Sequence, residues 1–266
     1  MPKEVGRIQA LWRYPVKSLR GEHLDEAQLT SNGLAGDRAY GLLDAATGRV
    51  MSAKRWARLL ELGARYPFGP ERPPQLVLPD GTAVAIERAA ATVSQFLNHQ
   101  VALVPAGSDT MASYEMAIQT VDDVEAGVDQ LAVDTAEVPC PPGSFFDAAP
   151  VHLLTDATLG ALQALHPAGR FEARRFRPNL LLHTSATPHF VESEWDGRLL
   201  AIGQDASIEV LMGTIRCVMT TLPQDDLPRD AAVLRTVAQH AGGNAGVYAR
   251  VVQPGRIRVG DVVTLL

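Results

Sequence analysis

The sequence predicts a mixed α/β fold rich in strands. Two observations carry this reading. Short segments with apolar residues at every second position recur along the whole chain, separated by Gly, Pro, Asn and Asp. Helical spacing, by contrast, is confined to a few stretches, the longest being 90–99, 155–166 and 231–241.

Taken in order, Ile8–Tyr14 reads as a strand stopped by Pro15, and His23–Leu29 as a second strand running into the turn cluster 32–36. Asp37–Asp44 reads as a third strand whose first residues carry both charges, and Asp44–Gly48 as a hairpin turn into Arg49–Ser52. Lys54–Leu62 has the pattern of a short helix. Gln75–Leu78 and Ala83–Ile86 flank Asp80-Gly81, a strong hairpin signal. Ala90–His99 is amphipathic, with Val93, Phe96 and Leu97 on one side. The polar stretch 107–127 has no pattern, and a long connection falls within 106–138. Val151–Leu154 is a strand leading into a helix that Thr155 caps. Asn179–His183, Gly197–Ile202 and Ser207–Leu211 follow as strands. Asp230 caps a helix over Ala231–Ala241 that Gly242-Gly243 ends. Strands Val247–Val252, Ile257–Val259 and Val262–Leu266 close the chain.

With 266 residues, 46% of them apolar, the chain can bury a sizeable core and fits one large domain or two small ones. A net charge of -6 argues against nucleic acid as a partner. No apolar run approaches the roughly 18 residues of a membrane span, and the first residues lack the apolar core of a secretory signal. The expected setting is the cytoplasm, with no membrane association. The two cysteines, Cys140 and Cys217, are too few for an iron–sulfur cluster, which takes about four.

The window Ser207–Leu222 concentrates the candidate chemistry. Alternation at Ile208 and Val210, and again over Thr214–Val218, leads a β-element into Arg216 and Cys217, with Thr220 and Thr221 just beyond. A guanidinium beside a thiol favours the thiolate, the form that binds metals and attacks electrophiles. A buried, inert cysteine reads equally well from this window. Cys140, between apolar and proline-rich segments, reads as structural. Lys17 and Ser18 follow Pro15 in a tight segment that can hold an anion or simply be solvated, and Arg38 can pair locally or point into a site. Thr155 and Asp156 open a helix whose N-terminus can cradle an anion. Arg174, Arg175 and Arg177 stand before Pro178 and Asn179, either as a solvated rim or as a buried anion site.

Six segments occur together in one order: YPVKSLRG (14–21), LAGDRAYGLLD (34–44), GSFFDAAPVHLLTDATL (143–159), RFRPNLLL (175–182), RCVMTT (216–221) and VQPGRIRVGD (252–261). Together they resemble MOSC-domain proteins that carry the MOSC N-terminal β-barrel domain. These are relatives of the mitochondrial amidoxime-reducing component and of the C-terminal part of molybdenum cofactor sulfurase. The resemblance implies an N-terminal β-barrel-like domain over 1–122 and a MOSC β-barrel with flanking helices over 123–266. It implies a molybdenum cofactor, with Cys217 as the catalytic and metal-ligating thiolate. Lys17, Ser18, Arg38, Thr155, Asp156, Arg177, Asn179 and Arg216 are then the residues facing its pterin and phosphate. The implied reaction is reduction of small N-hydroxylated or N-oxide substrates by oxygen transfer to molybdenum, fed by an external electron donor of ferredoxin, flavoprotein or cytochrome b5-like type. The alternative is a sulfur carrier bearing a persulfide on Cys217 and working with a pyridoxal-phosphate desulfurase. The sequence departs from the redox relatives after Thr220-Thr221: it reads Leu222-Pro223-Gln224-Asp225-Asp226, with no acid directly before the proline.

Overall fold

The structure is a computed structural model that describes residues 2–107, 111–116, 134–139 and 143–266. Cys140 lies outside the described residues, as does most of the patternless stretch 107–127. In chain order the strands are β1 (Lys3–Arg13), β2 (Glu22–Leu24), β3 (Glu26–Thr30), β4 (Gly33–Leu34), β5 (Tyr40–Asp44), β6 (Gly63–Arg65), β7 (Gln75–Val77), β8 (Ala83–Ala85) and β9 (Val101–Pro105). They continue with β10 (Met111–Met116), β11 (Asp134–Pro139), β12 (Val151–Thr155), β13 (Leu180–His183), β14 (Leu199–Ile202), β15 (Ala206–Ile215), β16 (Asn244–Gln253), β17 (Gly255–Arg258) and β18 (Val262–Leu265). The helices are α1 (Ile86–Leu97), α2 (Asp156–Leu165), α3 (Ala173–Phe176) and α4 (Ala231–His240), joined by single 3-10 turns at Ala57–Glu61, Val191–Trp195 and Val218–Thr221.

Seven strands close into a barrel in the order β1, β13, β12, β16, β15, β14, β18 and back to β1. The pleat explains what fills it. Side chains alternate across each strand, so Val151 and Leu153, Leu180 and Leu182, Ile208 and Val210, and Val247 and Ala249 point inward. Leu154 and Leu181 point outward instead. There they meet Leu162 of α2, Val233 and Val237 of α4, and Phe171 and Phe176. The helices therefore cover one outer flank of the barrel.

The barrel draws on both ends of the chain. Early in β1, Arg7 pairs with Val262 of β18, Leu11 pairs with Leu180 of β13, and Leu11 to Arg13 also pair with β2. Likewise β17 pairs with β3. A second core is built from β5, β9, the β6–β7–β8 sheet and α1, with Leu19, Leu42, Leu59, Leu62 and Val93 inside. Val218 and Leu222, from the segment after Cys217, insert into that second core. The segment carrying the thiol is thus held between the two cores.

Several boundaries differ from the sequence expectation, each for a local reason. The expected helix Lys54–Leu62 forms only the 3-10 turn Ala57–Glu61, and the single strand His23–Leu29 breaks at Asp25 into β2 and β3, which join different sheets. Asp37 and Arg38 do not begin a strand; Arg38 sits at φ 47° in the turn before β5. The strand leading to Cys217 ends at Ile215, and Cys217 opens the following 3-10 turn. Both predicted helix caps form: Thr155 Oγ1 accepts from Thr158 N at 3.1 Å, and Asp230 Oδ1 from Ala232 N at 2.9 Å.

Candidate functional site

Where β1 ends, the chain turns at Pro15, and Tyr14 and Arg38 meet the segment Phe176–Asn179. Tyr14 is the centre of this arrangement. Its hydroxyl donates to Pro178 O at 3.1 Å, and its ring is stacked by two guanidiniums, Arg38 and Arg177, each with its central carbon 4.3 Å from the ring centroid. Burial pushes the Tyr14 hydroxyl up to about 12, so it stays protonated. Arg38 also lies 4.1 Å from the Phe146 ring centroid, is paired with Asp37, and donates from Nη2 to Arg177 O at 3.4 Å. Both Arg38 and Arg177 have left-handed backbones, at φ 47° and 55°. Such strain in bulky residues is held only where surrounding contacts over-determine it.

Arg216 enters from the end of β15. Its backbone N donates to Gly243 O at 2.8 Å, and its Nη2 donates to Phe176 O at 2.6 Å. Its Nη1 faces His152 Nε2 at 3.5 Å. His152 is buried, and its Nδ1–H donates to Arg177 O at 3.3 Å, leaving the Nε2 lone pair toward Arg216. Burial, and then the Arg216 charge, hold this imidazole well below its ordinary range, so it is neutral. Tyr248 stands edge-on to both Phe146 and His152. Lys17 Nζ donates to Phe145 O at 2.8 Å and pairs with Asp147. Although desolvation opposes it, Lys17, Lys54 and Arg38 hold the half-exposed Asp147 carboxyl below the usual carboxylate range.

The cluster therefore holds more cations than anions, in buried surroundings. Burial lowers Arg177 to about 10 and moves Arg216 below its usual value. Both remain charged at neutral pH. Arg177 Nη1 and Arg216 Nε are buried and have no hydrogen-bond partner among the described residues. Unsatisfied buried N–H groups on charged side chains are costly, and one of the two belongs to Arg216, the neighbour of a free thiol. Cys217, partly buried, directly follows Arg216, and its carbonyl accepts from both Thr220 N and Thr220 Oγ1.

Of the sequence-predicted site residues, the structure gathers Arg38, Arg177 and Arg216 around Tyr14 and His152, with Cys217 adjoining and Lys17 held on Phe145 and Asp147. It places the others differently. Thr155 Oγ1 donates to the buried Glu192 carboxylate at 2.6 Å, and Asp156 is engaged by His183 and Thr184. His183 pairs with Arg7 of β1, seven residues from Tyr14 and so roughly 20 Å along the strand. Thr155 and Asp156 lie at the opposite end of the barrel from the arginines. Asn179 is fully buried and ties strands together: its Oδ1 accepts from His152 N and its Nδ2 donates to Trp12 O. Ser18, at φ 68°, accepts from Ala53 N through Oγ.

The arginine run also divides. Arg174 bonds Glu172 and Asp226 at the surface, Arg175 is buried against backbone carbonyls, and Arg177 alone joins the cluster. Asp225 and Asp226, the acids nearest the missing one, are paired with Arg20, Arg170 and Arg174. The sequence reading missed Tyr14, His152 and Tyr248. The first two stand within the recognised segments, but an aromatic or a lone histidine on a strand reads as core.

This closed barrel, with a second β-unit interleaved and a thiol between the cores, defines a two-part β-barrel protein with a buried, cation-rich cluster. The MOSC domain pattern matches residues 141–264, and the MOSC N-terminal β-barrel domain pattern matches residues 5–124. The chain belongs to the MOSC-domain proteins that carry this N-terminal domain. It is homologous to mitochondrial amidoxime-reducing component 1 of Mus musculus, at 27% identity over 99% of this chain and 83% of the relative. The Homo sapiens counterpart is 24% identical over 99% and 84%. Among solved structures, the YUAD protein from Bacillus subtilis shares the fold with a TM-score of 0.52 and 12% identity, covering 100% of this chain and 98% of that one.

Proposed function

We propose that the chain binds a molybdenum cofactor through Cys217 and the arginine cluster, and that it reduces N-hydroxylated compounds. The observation that carries this is the pair of buried, unsatisfied guanidinium N–H groups, Arg177 Nη1 and Arg216 Nε, the latter on the residue adjoining a free thiol. The donor set fits the group. Soft metals take thiolate ligands, and a phosphate-bearing pterin needs cations and N–H donors. The homology to amidoxime-reducing components supports the reaction class.

In this reading Arg177 and Arg216 bind the anionic part of the cofactor, and Arg38, braced by Asp37 and Tyr14, adds charge behind them. Cys217 supplies the protein's thiolate. When bound, the cofactor supplies two-electron chemistry and an acceptor for the oxygen of an N–O bond. Reducing N–OH to N–H and water consumes two electrons and two protons, so an external electron donor is part of the proposal. His152 is neutral and its Nδ1–H is committed to Arg177 O, so its work is to orient the arginines rather than to deliver a proton. Among the described residues no helix is long and apolar enough to cross a membrane.

The test is metal and pterin analysis of protein from a cofactor-competent host, beside Cys217→Ala. Stoichiometric molybdenum that is lost in the variant supports the reading. Molybdenum-free protein carrying cyanide-releasable sulfur on Cys217 would replace it with sulfur carriage from a pyridoxal-phosphate desulfurase.

A further inference from the structure

The geometry points to Arg175 as the positioning residue of Cys217, an inference that rests on the thiol reading above for its functional meaning. Arg175 is 2% exposed and, among the described residues, forms no ion pair with a carboxylate, Asp230 and Glu172 acting on its charge only from further off. Instead its guanidinium donates to four backbone carbonyls: Nε to Arg170 O at 2.9 Å, Nη1 to Thr220 O at 3.2 Å and Leu222 O at 3.3 Å, and Nη2 to Pro228 O at 2.8 Å. Three of those carbonyls lie in the segment that begins at Cys217.

The physical need is clear. A 3-10 turn leaves its last carbonyls without partners. Val218–Thr221 is one such turn, and Thr220 O and Leu222 O are at its end. An unpaired carbonyl here would be buried, because Thr220, Thr221 and Leu222 are all buried. Arg175 satisfies them with a forked, charged donor that lysine cannot reproduce in shape. The other end of the turn is fixed by Thr220 N and Oγ1 on Cys217 O. Movement of residues 220–222 is therefore transmitted directly to the cysteine. A second layer reinforces this: Arg170, Arg174 and Arg20 hold Asp225 and Asp226, which locks the outer part of the same loop. Three observations thus converge on one segment: a buried arginine whose donors all go to backbone carbonyls, the capped turn, and the surface ion-pair network. The loop lacks the acid-proline pair expected after Thr221, and this clamp is what fixes its course instead.

The experiment measures the alkylation rate of Cys217 by iodoacetamide, read by peptide mass spectrometry on the full chain. Arg175→Lys and Arg175→Gln are compared with Val263→Ala, a barrel-core change that lowers thermal stability at a distance from the loop. Losing even one hydrogen bond to a charged donor raises the population of an opened loop about tenfold. Each Arg175 variant loses at least one of four, so both should react at least about tenfold faster. Val263→Ala should keep the rate of the unmutated protein. An unchanged or slower rate in Arg175→Gln, or an equal rise in Val263→Ala, overturns the inference. Should both Arg175 variants fail to fold, amide exchange of the unmutated protein decides. The Thr220 and Leu222 amides should exchange as slowly as barrel amides, and fast exchange there overturns the clamp. None of these readouts requires molybdenum, so absence of the metal would defeat the cofactor reading and leave this one standing.

Discussion

Arg177 shows how a binding group can cost the fold that carries it. It is buried, stacked on Tyr14 opposite Arg38, and has an N–H with no partner among the described residues. Removing a buried charge held down chiefly by desolvation, with a second guanidinium on the same ring, relieves that desolvation and the repulsion from Arg38. Arg177→Met should therefore raise the melting temperature of ligand-free protein, by roughly 2–4 °C for each kcal/mol recovered. Phosphate should stabilise the unmutated protein by about 1.4 kcal/mol at ten times its dissociation constant, and Arg177→Met not at all; scanning fluorimetry with and without phosphate checks both. Glu192 makes the opposite kind of test. Its Oε2 accepts from Thr155 and Thr158, its Oε1 is buried without a partner among the described residues, and burial, outweighing those hydrogen bonds, raises its pKa. A carboxyl raised on folding contributes stability that is complete below its unfolded value near about 4.3 and is lost as pH rises through the raised folded value. Relative to the unmutated protein, Glu192→Gln should gain melting temperature between pH 5 and pH 9. A difference that does not change with pH would show that Glu192 is ionised throughout.

At the scale of elements, β16 and β12 meet so closely that one position admits only glycine. Gly246 has φ +81°, and a Cβ there would lie 2.5 Å from His152 Nε2 and 2.7 Å from Leu153 O. Gly243 has nearly the same backbone, at φ +80°, but open space around it. Gly243→Ala should cost about 1–2 kcal/mol, the left-handed penalty alone. Gly246→Ala should cost about 1–3 kcal/mol more from overpacking, and it should displace His152 from Arg216. Chemical denaturation of the two variants isolates the crowding. Elements were also where the sequence was most readable. Alternation placed the strands around Ile208 and Val210, and the Thr155 and Asp230 caps were legible because capping is local chemistry. The site was legible only in part. Arg177 and Arg216 lie in segments whose composition is unusual, whereas Tyr14 and His152 acquire their roles from contacts across 164 and 64 residues. Thr155 illustrates the reverse: the same local cap that identifies it also commits its hydroxyl, and only the fold reveals Glu192 as the second claimant.

The whole molecule depends on a single long strand. Within the barrel, β1 fills the gap between β13 and β18, and those strands would otherwise present unpaired edges. Ile8 and Leu11 of β1 are fully buried in the barrel core, beside Leu180 and Leu182. Although β1 lies within residues 1–122, its hydrogen bonds and its apolar side chains belong to a barrel otherwise built from residues 151–265. A fragment of residues 123–266 should therefore be insoluble or lack fixed packing, seen as weak near-ultraviolet circular dichroism around Trp195, which is buried in that core. Joining residues 2–24 to it through a flexible linker should restore a soluble, cooperatively unfolding barrel, because β1 and its partner β2 are then both present. Such a barrel would still lack the second core that receives Val218 and Leu222. Its Cys217 segment should thus exchange its amides faster than in the full chain, while the strands stay protected. A fragment of 123–266 that folds cooperatively on its own would show that β13 and β18 can close without β1. A linked barrel with a fully protected Cys217 segment would show that Arg175 and the ion pairs of Arg20, Arg170 and Arg174 hold it without the second core.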